Sequence, residues 1–309
     1  MPSYPTFRFQ DQDLIRIGDE HDALLLAPWA GGRLVRWIHR GTDILYWPDH
    51  ADWSRPAKVR GGNPLLFPFI GRHFVDGEPG KWRDGNGVVR AMPQHGFARD
   101  LPFEIADCDP ARSITMVLTD SDATRDAYPF SFRFEASYRL LEDGLEVTLA
   151  VRNAGREPLP FYAGHHFYFA VPHELRGQCR LTMPPAEWLR QRPDGSLTAA
   201  QPGEAVYALD DPRLQDTFHR LHAPVAGACE LAIPSSDGGN TGRAIRIDLD
   251  ANGRTVPWQA VTTWSEREDS DFYCVEPWLA LPDAIHRRGE TLWVAPGDRT
   301  EAVCRLLPA

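Results

Sequence analysis

Phe132-Arg133-Phe134-Glu135-Ala136-Ser137-Tyr138-Arg139-Leu140, followed by Asp143-Gly144 and by Leu145-Glu146-Val147-Thr148-Leu149-Ala150-Val151-Arg152, is the stretch that decides the fold. Its first nine residues alternate strictly, with Phe132, Phe134, Ala136, Tyr138 and Leu140 apolar and the residues between them polar. Side chains on a strand point to opposite faces in turn, so this pattern predicts a strand with one buried face. Beyond Asp143-Gly144, Leu145, Val147, Leu149 and Val151 alternate with Glu146, Thr148 and Arg152. Residues 132–152 therefore read as an antiparallel hairpin turning at an Asp-Gly pair.

Working outward, similar short runs lie at 7–10, 14–17, 23–27, 34–39, 114–119, 245–249 and 273–275. Turn signals separate them at Asp76-Gly77, Asp84-Gly85, Asn86-Gly87, Asp194-Gly195, Asp237-Gly238-Gly239 and Asn252-Gly253. The 27 Pro, 25 Gly, 10 Trp, 15 Phe and 8 Tyr exclude a helical bundle and favour many short strands. Strands along the whole chain without helical periods between them predict an all-β protein, a large antiparallel β-sandwich. At roughly 150 residues per domain the 309 residues allow two domains. No linker or internal repeat divides the chain, so residues 1–309 are expected to form one. Two sheets that twist leave a concave face suited to a ligand.

The 33 Lys+Arg against 43 Asp+Glu give a net charge of −10, which argues against a nucleic-acid partner. No stretch reaches the length of a membrane span, the N-terminus lacks the pattern of a signal peptide, and no Asn-X-Ser/Thr sequon occurs. The five cysteines, Cys108, Cys179, Cys229, Cys274 and Cys304, are odd in number and lack a CxxC pair. They read as buried free thiols, and a cytoplasmic protein is expected. The sequence sets no oligomeric state.

Four segments are dense in polar groups set among aromatics and glycines: 60–72 (RGGNPLLFPFIGR), 93–99 (PQHGFAR), 164–169 (GHHFYF) and 274–278 (CVEPW). Adjacent histidines on extended chain face opposite ways. Parity puts His166 with Tyr162, Gly164 and Tyr168, and His165 with Phe161, Ala163, Phe167 and Phe169. His166 is therefore the better candidate for a solvent-reaching acid or base, a satisfied core histidine being the alternative. Glu276 shares its face with Cys274 and Trp278, whose apolar surfaces would raise its pKa toward a useful base strength. The bland alternative is an exposed glutamate at a strand end, which Pro277 fits. Arg60, Arg72 and Arg99 could supply forked hydrogen bonds to hydroxyls or a phosphate, or be plain surface arginines. Asp120-Ser121-Asp122 lacks the glycine and glutamate of a calcium loop, His219 and His222 lack an HExxH context, and no metal site is expected. The acidic run 266–271 reads as a solvated loop.

Taken together, GGNPLLFPFIGR at 61–72, HGFAR at 95–99, GHHFYF at 164–169 and CVEPWLALPDA at 274–284 resemble the aldose 1-epimerase, or galactose mutarotase-like, family. The resemblance implies a supersandwich whose concave face binds a sugar, and a cofactor-independent interconversion of α and β anomers. It implies Glu276 as the general base at the anomeric hydroxyl and His166 as the general acid at the ring oxygen. His95 and Arg72 match substrate-orienting positions, and Asp216 in Asp216-Thr217-Phe218 matches a hydroxyl-binding aspartate. Arg60 and Arg99 resemble the paired arginines of the branch acting on hexose 6-phosphates. Arg72 after FPFIG, and Glu276-Pro277-Trp278, resemble a third group of bacterial epimerase-like proteins. The implied partner is a sugar or sugar phosphate. A non-catalytic carbohydrate-binding or sugar-sensing protein on the same fold is the competing reading.

Overall fold

The structure, a computed structural model, describes residues 4–222, 227–235, 242–249 and 255–309. The expected turns at Asp237-Gly238-Gly239 and Asn252-Gly253 lie outside the described residues. The decisive stretch forms the strands Phe132–Leu141 and Gly144–Asn153, paired antiparallel with Phe134 opposite Val151 and Tyr138 opposite Val147. The turn is Glu142-Asp143, one residue earlier than expected, because Gly144 already pairs with Leu141.

Among the described residues the strands form two large sheets, a smaller N-terminal one and three two-stranded ribbons. The hairpin lies in a nine-stranded sheet ordered Glu104–Asp109, Ser113–Thr119, Phe132–Leu141, Gly144–Asn153, Arg299–Pro308, Arg243–Asp248, Ala228–Ile233, Arg180–Thr182 and Val206–Ala208. The second sheet has eight strands, with Thr217–Leu221, Ala260–Trp264 and Phe272–Trp278 at its centre and Gly164–His165, Tyr168–Ala170 and Leu65–Leu66 beyond them. Five strands between Thr6 and Asp43 make the N-terminal sheet, joined to the second through an isolated bridge between Leu34 and Asn63. The longest α-helix among the described residues is Asp122–Arg125, and none is long and apolar enough to cross a membrane.

The two large sheets meet through the apolar side of the hairpin. Phe134 stacks on Phe67 with centroids 4.4 Å apart, and Tyr138 accepts a hydrogen bond at 3.0 Å from the Asn63 amide. The Trp258 indole donates to the Val303 carbonyl at 2.7 Å. Phe67, Phe69, Trp82, Tyr128, Phe132 and Tyr162 fill one aromatic cluster, each buried side chain contributing about 1.5–3 kcal/mol. All five cysteines are free thiols, but Cys108 is only half-buried.

Three expectations need correction. His166 is not solvent-reaching but 7% exposed, because aromatic rings close over it. Tyr162 does not share its face: its hydroxyl bonds His73 at 2.7 Å in the core, the chain between the two bending away from a continuous strand. Glu276 is not at a strand end either. The strand Phe272–Trp278 continues through Pro277, which stays in register opposite Val261.

Candidate active site

Period two along Phe272–Trp278 puts Cys274, Glu276 and Trp278 on one face and Tyr273 and Val275 on the other, where they join the core. Across the sheet, Thr262 lies opposite Glu276 and Phe218 opposite Thr262, while Trp264 and Tyr168 flank Cys274. A cavity of about 250 Å³ sits on this face. It is smaller than the roughly 300–1,000 Å³ of drug-sized sites and fits a single sugar ring.

Every residue singled out from the sequence, Glu276, His166, His95, Arg72, Asp216, Arg60 and Arg99, lines this one cavity. They come from separate places. Glu276 stands on the sheet, Arg99 in the short 3-10 helix Ala98–Asp100, and Arg60, Arg72, His95 and Asp216 in connecting segments. Asp216 and His95 have left-handed backbones, with φ of +50° and +69°.

At the centre, His166 Nδ1 lies 3.3 Å from Glu276 Oε1. The two atoms are close but poorly aligned, so Nδ1 is buried without a hydrogen-bond partner. The second carboxylate oxygen, Oε2, accepts from the Trp278 indole at 3.1 Å. Glu276 is 1% exposed, and burial pushes its pKa well above the usual carboxylate value. The Trp278 donor and the Arg99 charge oppose that shift, and Asp216 adds to it. Burial, and then the charges of Arg99, Arg60 and Arg33, push the His166 pKa well down. Buried Arg33 lies behind the site with its guanidinium on the Val59 carbonyl at 3.0 Å.

His166 is held on three sides. Its ring stacks on Tyr168 with centroids 4.7 Å apart, meets Trp264 edge-on at 5.7 Å, and its backbone N–H donates to Asn63 Oδ1 at 3.0 Å. Asn63 also reaches His165 Nδ1 at 3.0 Å, so one buried amide fixes both histidines. His165 faces inward against Phe167, its pKa pushed down to about 3 by burial. The parity argument thus separated the pair correctly.

His95 Nδ1 accepts the Gly71 backbone N–H at 3.2 Å, and the Gln94 side-chain amide meets its Nε2 at 3.1 Å. Burial, and the nearby Arg99 and His166, hold its pKa well below the ordinary value. Arg72 and Asp216 form an ion pair at 4.0 Å. Arg60 pairs with Glu266 at 2.9 Å and lies over the Trp264 ring, so the acidic run is not merely solvated. Arg99 donates to the Gln94 carbonyl at 2.8 Å, its Nε is buried without a partner, and it has no carboxylate partner among the described residues.

Lys58, Gln94, Gln191, Thr262 and Trp264 also line the cavity and had no role assigned from the sequence, and Trp278, expected only as an apolar neighbour of Glu276, is its hydrogen-bond donor. Gln94 and Trp278 stand inside the quoted motifs, which is the one signal that could have found them. The Thr262 hydroxyl is buried without a hydrogen-bond partner.

The sandwich and this small polar pocket with a buried His166–Glu276 pair define a protein of the galactose mutarotase-like class. Residues 13–199 match the aldose 1-epimerase family, and the chain belongs to that family. Slr1438 protein from Synechocystis sp. PCC 6803 has the same fold, with a TM-score of 0.78, 24% identity, and coverage of 100% of this chain and 96% of that one. A galactose mutarotase related enzyme from Lactobacillus acidophilus superposes with a TM-score of 0.76 at 22% identity, over 96% of this chain and 97% of that one. A Cenchrus ciliaris protein named "Putative glucose-6-phosphate 1-epimerase" is 26% identical over 152 residues, 45% of this chain and 41% of its own length. YphB of Escherichia coli (strain K12), described as uncharacterized, is 27% identical over 180 residues, 55% of this chain and 58% of its own length. The chain thus spans about half the length of these curated relatives.

Proposed function

We propose that the protein is an aldose 1-epimerase that interconverts the α and β anomers of a hexose, with Glu276 as base and His166 as acid. The observation that carries this reading is the His166–Glu276 pair, 3.3 Å apart in a sugar-sized cavity of a member of this family. The O1 and O5 atoms of an aldose share one carbon, so an acid and a base set this close can serve both.

In this mechanism the pair holds one proton, which burial favours on Glu276 and which passes to His166 as the sugar binds. The Glu276 carboxylate then takes the proton from the anomeric hydroxyl while the His166 imidazolium gives one to the ring oxygen. The C1–O5 bond breaks and O1 becomes the aldehyde oxygen. After rotation about C1–C2, His166 takes back the O5 proton, Glu276 returns one to O1, and the ring closes on the other face. The pair ends the cycle with the protons it began with. Acid and base each contribute on the order of 10²–10⁴-fold. His95, Arg72, Asp216 and the Thr262 hydroxyl orient the ring hydroxyls, and the Trp264 and Trp278 rings offer apolar surface to it.

A hexose 6-phosphate is the finer reading of the substrate. It is supported by Lys58, Arg60 and Arg99 on one cavity wall, by the absence of a carboxylate on Arg99 among the described residues, and by the printed name of the Cenchrus ciliaris relative. The aromatic core shared by the two large sheets supports reading residues 1–309 as one domain.

NMR exchange on α-glucose, α-galactose and α-glucose 6-phosphate tests the proposal, with Glu276→Gln expected to cost at least about 10²-fold. No acceleration across these sugars, or full activity in Glu276→Gln, rejects it. Saturable sugar binding without anomerisation would select the non-catalytic reading instead. Arg60→Ala and Arg99→Ala are expected to weaken the phosphosugar about 10–100-fold and the neutral sugar much less. Equal losses reject the phosphate reading.

A further inference from the structure

We propose that His166, Cys274 and Glu276 form a binding site for Zn²⁺, a built-in inhibitory site that withdraws the acid and the base from the sugar. One donor atom from each of the three residues lies within 4.8 Å of the others, and all three residues are buried. Strand parity makes this arrangement stable: Cys274 and Glu276 are two apart on one face, and Tyr168, on which His166 stacks, pairs directly with Cys274.

The distances fit a tetrahedral ion. Nitrogen and oxygen ligands each about 2.0–2.1 Å from zinc stand about 3.3 Å apart, the separation of His166 Nδ1 and Glu276 Oε1. In that arrangement each ligand lies about 35° off the other's lone-pair axis, too far for a straight hydrogen bond. Such an offset accounts for a buried Nδ1 that touches a carboxylate yet has no hydrogen-bond partner. A thiolate on the same ion would stand about 3.6 Å from the other two donors, so Cys274 Sγ needs a side-chain movement of at most about 1 Å. Three protein ligands leave the fourth position to water from the cavity.

Charge and chemistry agree with the geometry. On binding, the thiol proton and the proton shared by Glu276 and His166 leave to solvent, and Zn²⁺ with one thiolate, one carboxylate and a neutral imidazole has no net charge, as burial demands. Sulfur with nitrogen selects zinc over magnesium or calcium. The remaining His/Cys/Asp/Glu cluster among the described residues has half-buried His173 with exposed Glu174 and Asp271 and offers only a control.

Inhibition rests on the proposed acid–base reading, whereas metal binding does not, so the experiment separates them. Full-length protein stripped with EDTA is titrated with Co²⁺, followed by the thiolate-to-cobalt charge-transfer band, and then with Zn²⁺. One cobalt per chain with that band, bleached by zinc but not by Mg²⁺, is expected. Cys274→Ser should lose the band and bind zinc at least about tenfold more weakly, with Cys108→Ser and His173→Ala unchanged. Should Cys274→Ser fail to fold by circular dichroism, Glu276→Gln must show the same loss of zinc affinity. Absence of the band, or an unaltered band and affinity in these site variants, overturns the site. A normal band with anomerisation undiminished by zinc leaves the site standing and overturns the inhibition together with the acid–base reading.

Discussion

Lowering the pH should destabilise this protein through two buried histidines that do not line the pocket. His73 bonds the Tyr162 hydroxyl in the aromatic core, and His219 bonds Thr263 at 3.1 Å between two strands. Burial pushes their pKa values down to about 3 and about 4. In the unfolded chain each returns to about 6.5, so between those values the unfolded state binds protons that the folded state refuses. Stability is therefore untouched above about pH 6.5 and falls below it, down to the folded values. Each ring contributes a slope of up to about 1.4 kcal/mol per pH unit. Between pH 7.5 and pH 5 that is about 2 kcal/mol per ring, so the two together remove about 4 kcal/mol from a typical total of about 5–15 kcal/mol. The assay is denaturant unfolding at pH 7.5, 6.5, 5.5 and 4.5 for the native sequence and for His73→Gln, which keeps a hydrogen-bonding group beside Tyr162. Other buried rings act in the same sense and cancel in the difference. The variant's stability should fall less steeply below pH 6.5, by about 1.4 kcal/mol per pH unit. Parallel curves would refute the reasoning.

Three further substitutions probe the supports of the site. Trp278→Phe keeps an aromatic ring but removes the donor to Glu276 Oε2, and should lower kcat/KM about tenfold with little change in stability; an unchanged kcat/KM in NMR exchange would show that the indole N–H is dispensable. Asn63→Leu leaves the His166 backbone N–H, the Tyr138 hydroxyl and His165 Nδ1 without their buried partner. At about 1–3 kcal/mol per orphaned group it should cost more than about 2 kcal/mol in urea unfolding, and a smaller loss would mean that water takes the place of the amide. Gly71→Ala puts a Cβ 2.4 Å from Pro282 Cβ at a φ of +86°, so it should destabilise by more than about 1 kcal/mol and disturb the Gly71–His95 bond, with a raised KM as the readout.

Strands with one wet face were legible in the sequence, because alternation records which side meets water. The strand Phe132–Leu141 belongs to these, whereas Ala23–Ala27, buried along its whole length, was legible only as a short apolar run. Ala260–Trp264 escaped notice because both its faces are covered and Ala-Val-Thr-Thr-Trp carries no period. With it went Thr262 and Trp264, two walls of the cavity. Pro277 was a misleading stop signal, since a proline lacks only its own N–H and the strand goes on to Trp278. The seven candidate residues lie in five separate segments of the sequence, and their meeting in one cavity is a product of strand order, which local patterns do not encode. Lys58 and Gln191 arrive by that route alone.

On the strand Phe272–Trp278, Glu276 and Trp278 line the pocket while Val275 between Cys274 and Glu276 belongs to the core. Glu276 therefore cannot be moved without moving Val275, which is packed inside, so the chemistry is inherited with the architecture. Arg60, Arg72 and Asp216 stand on connecting segments, and Arg99 on a single 3-10 turn, under no such constraint. Natural variation among relatives should then change what is bound far more readily than what is done to it, with new substrates arising by loop exchange over a conserved sheet.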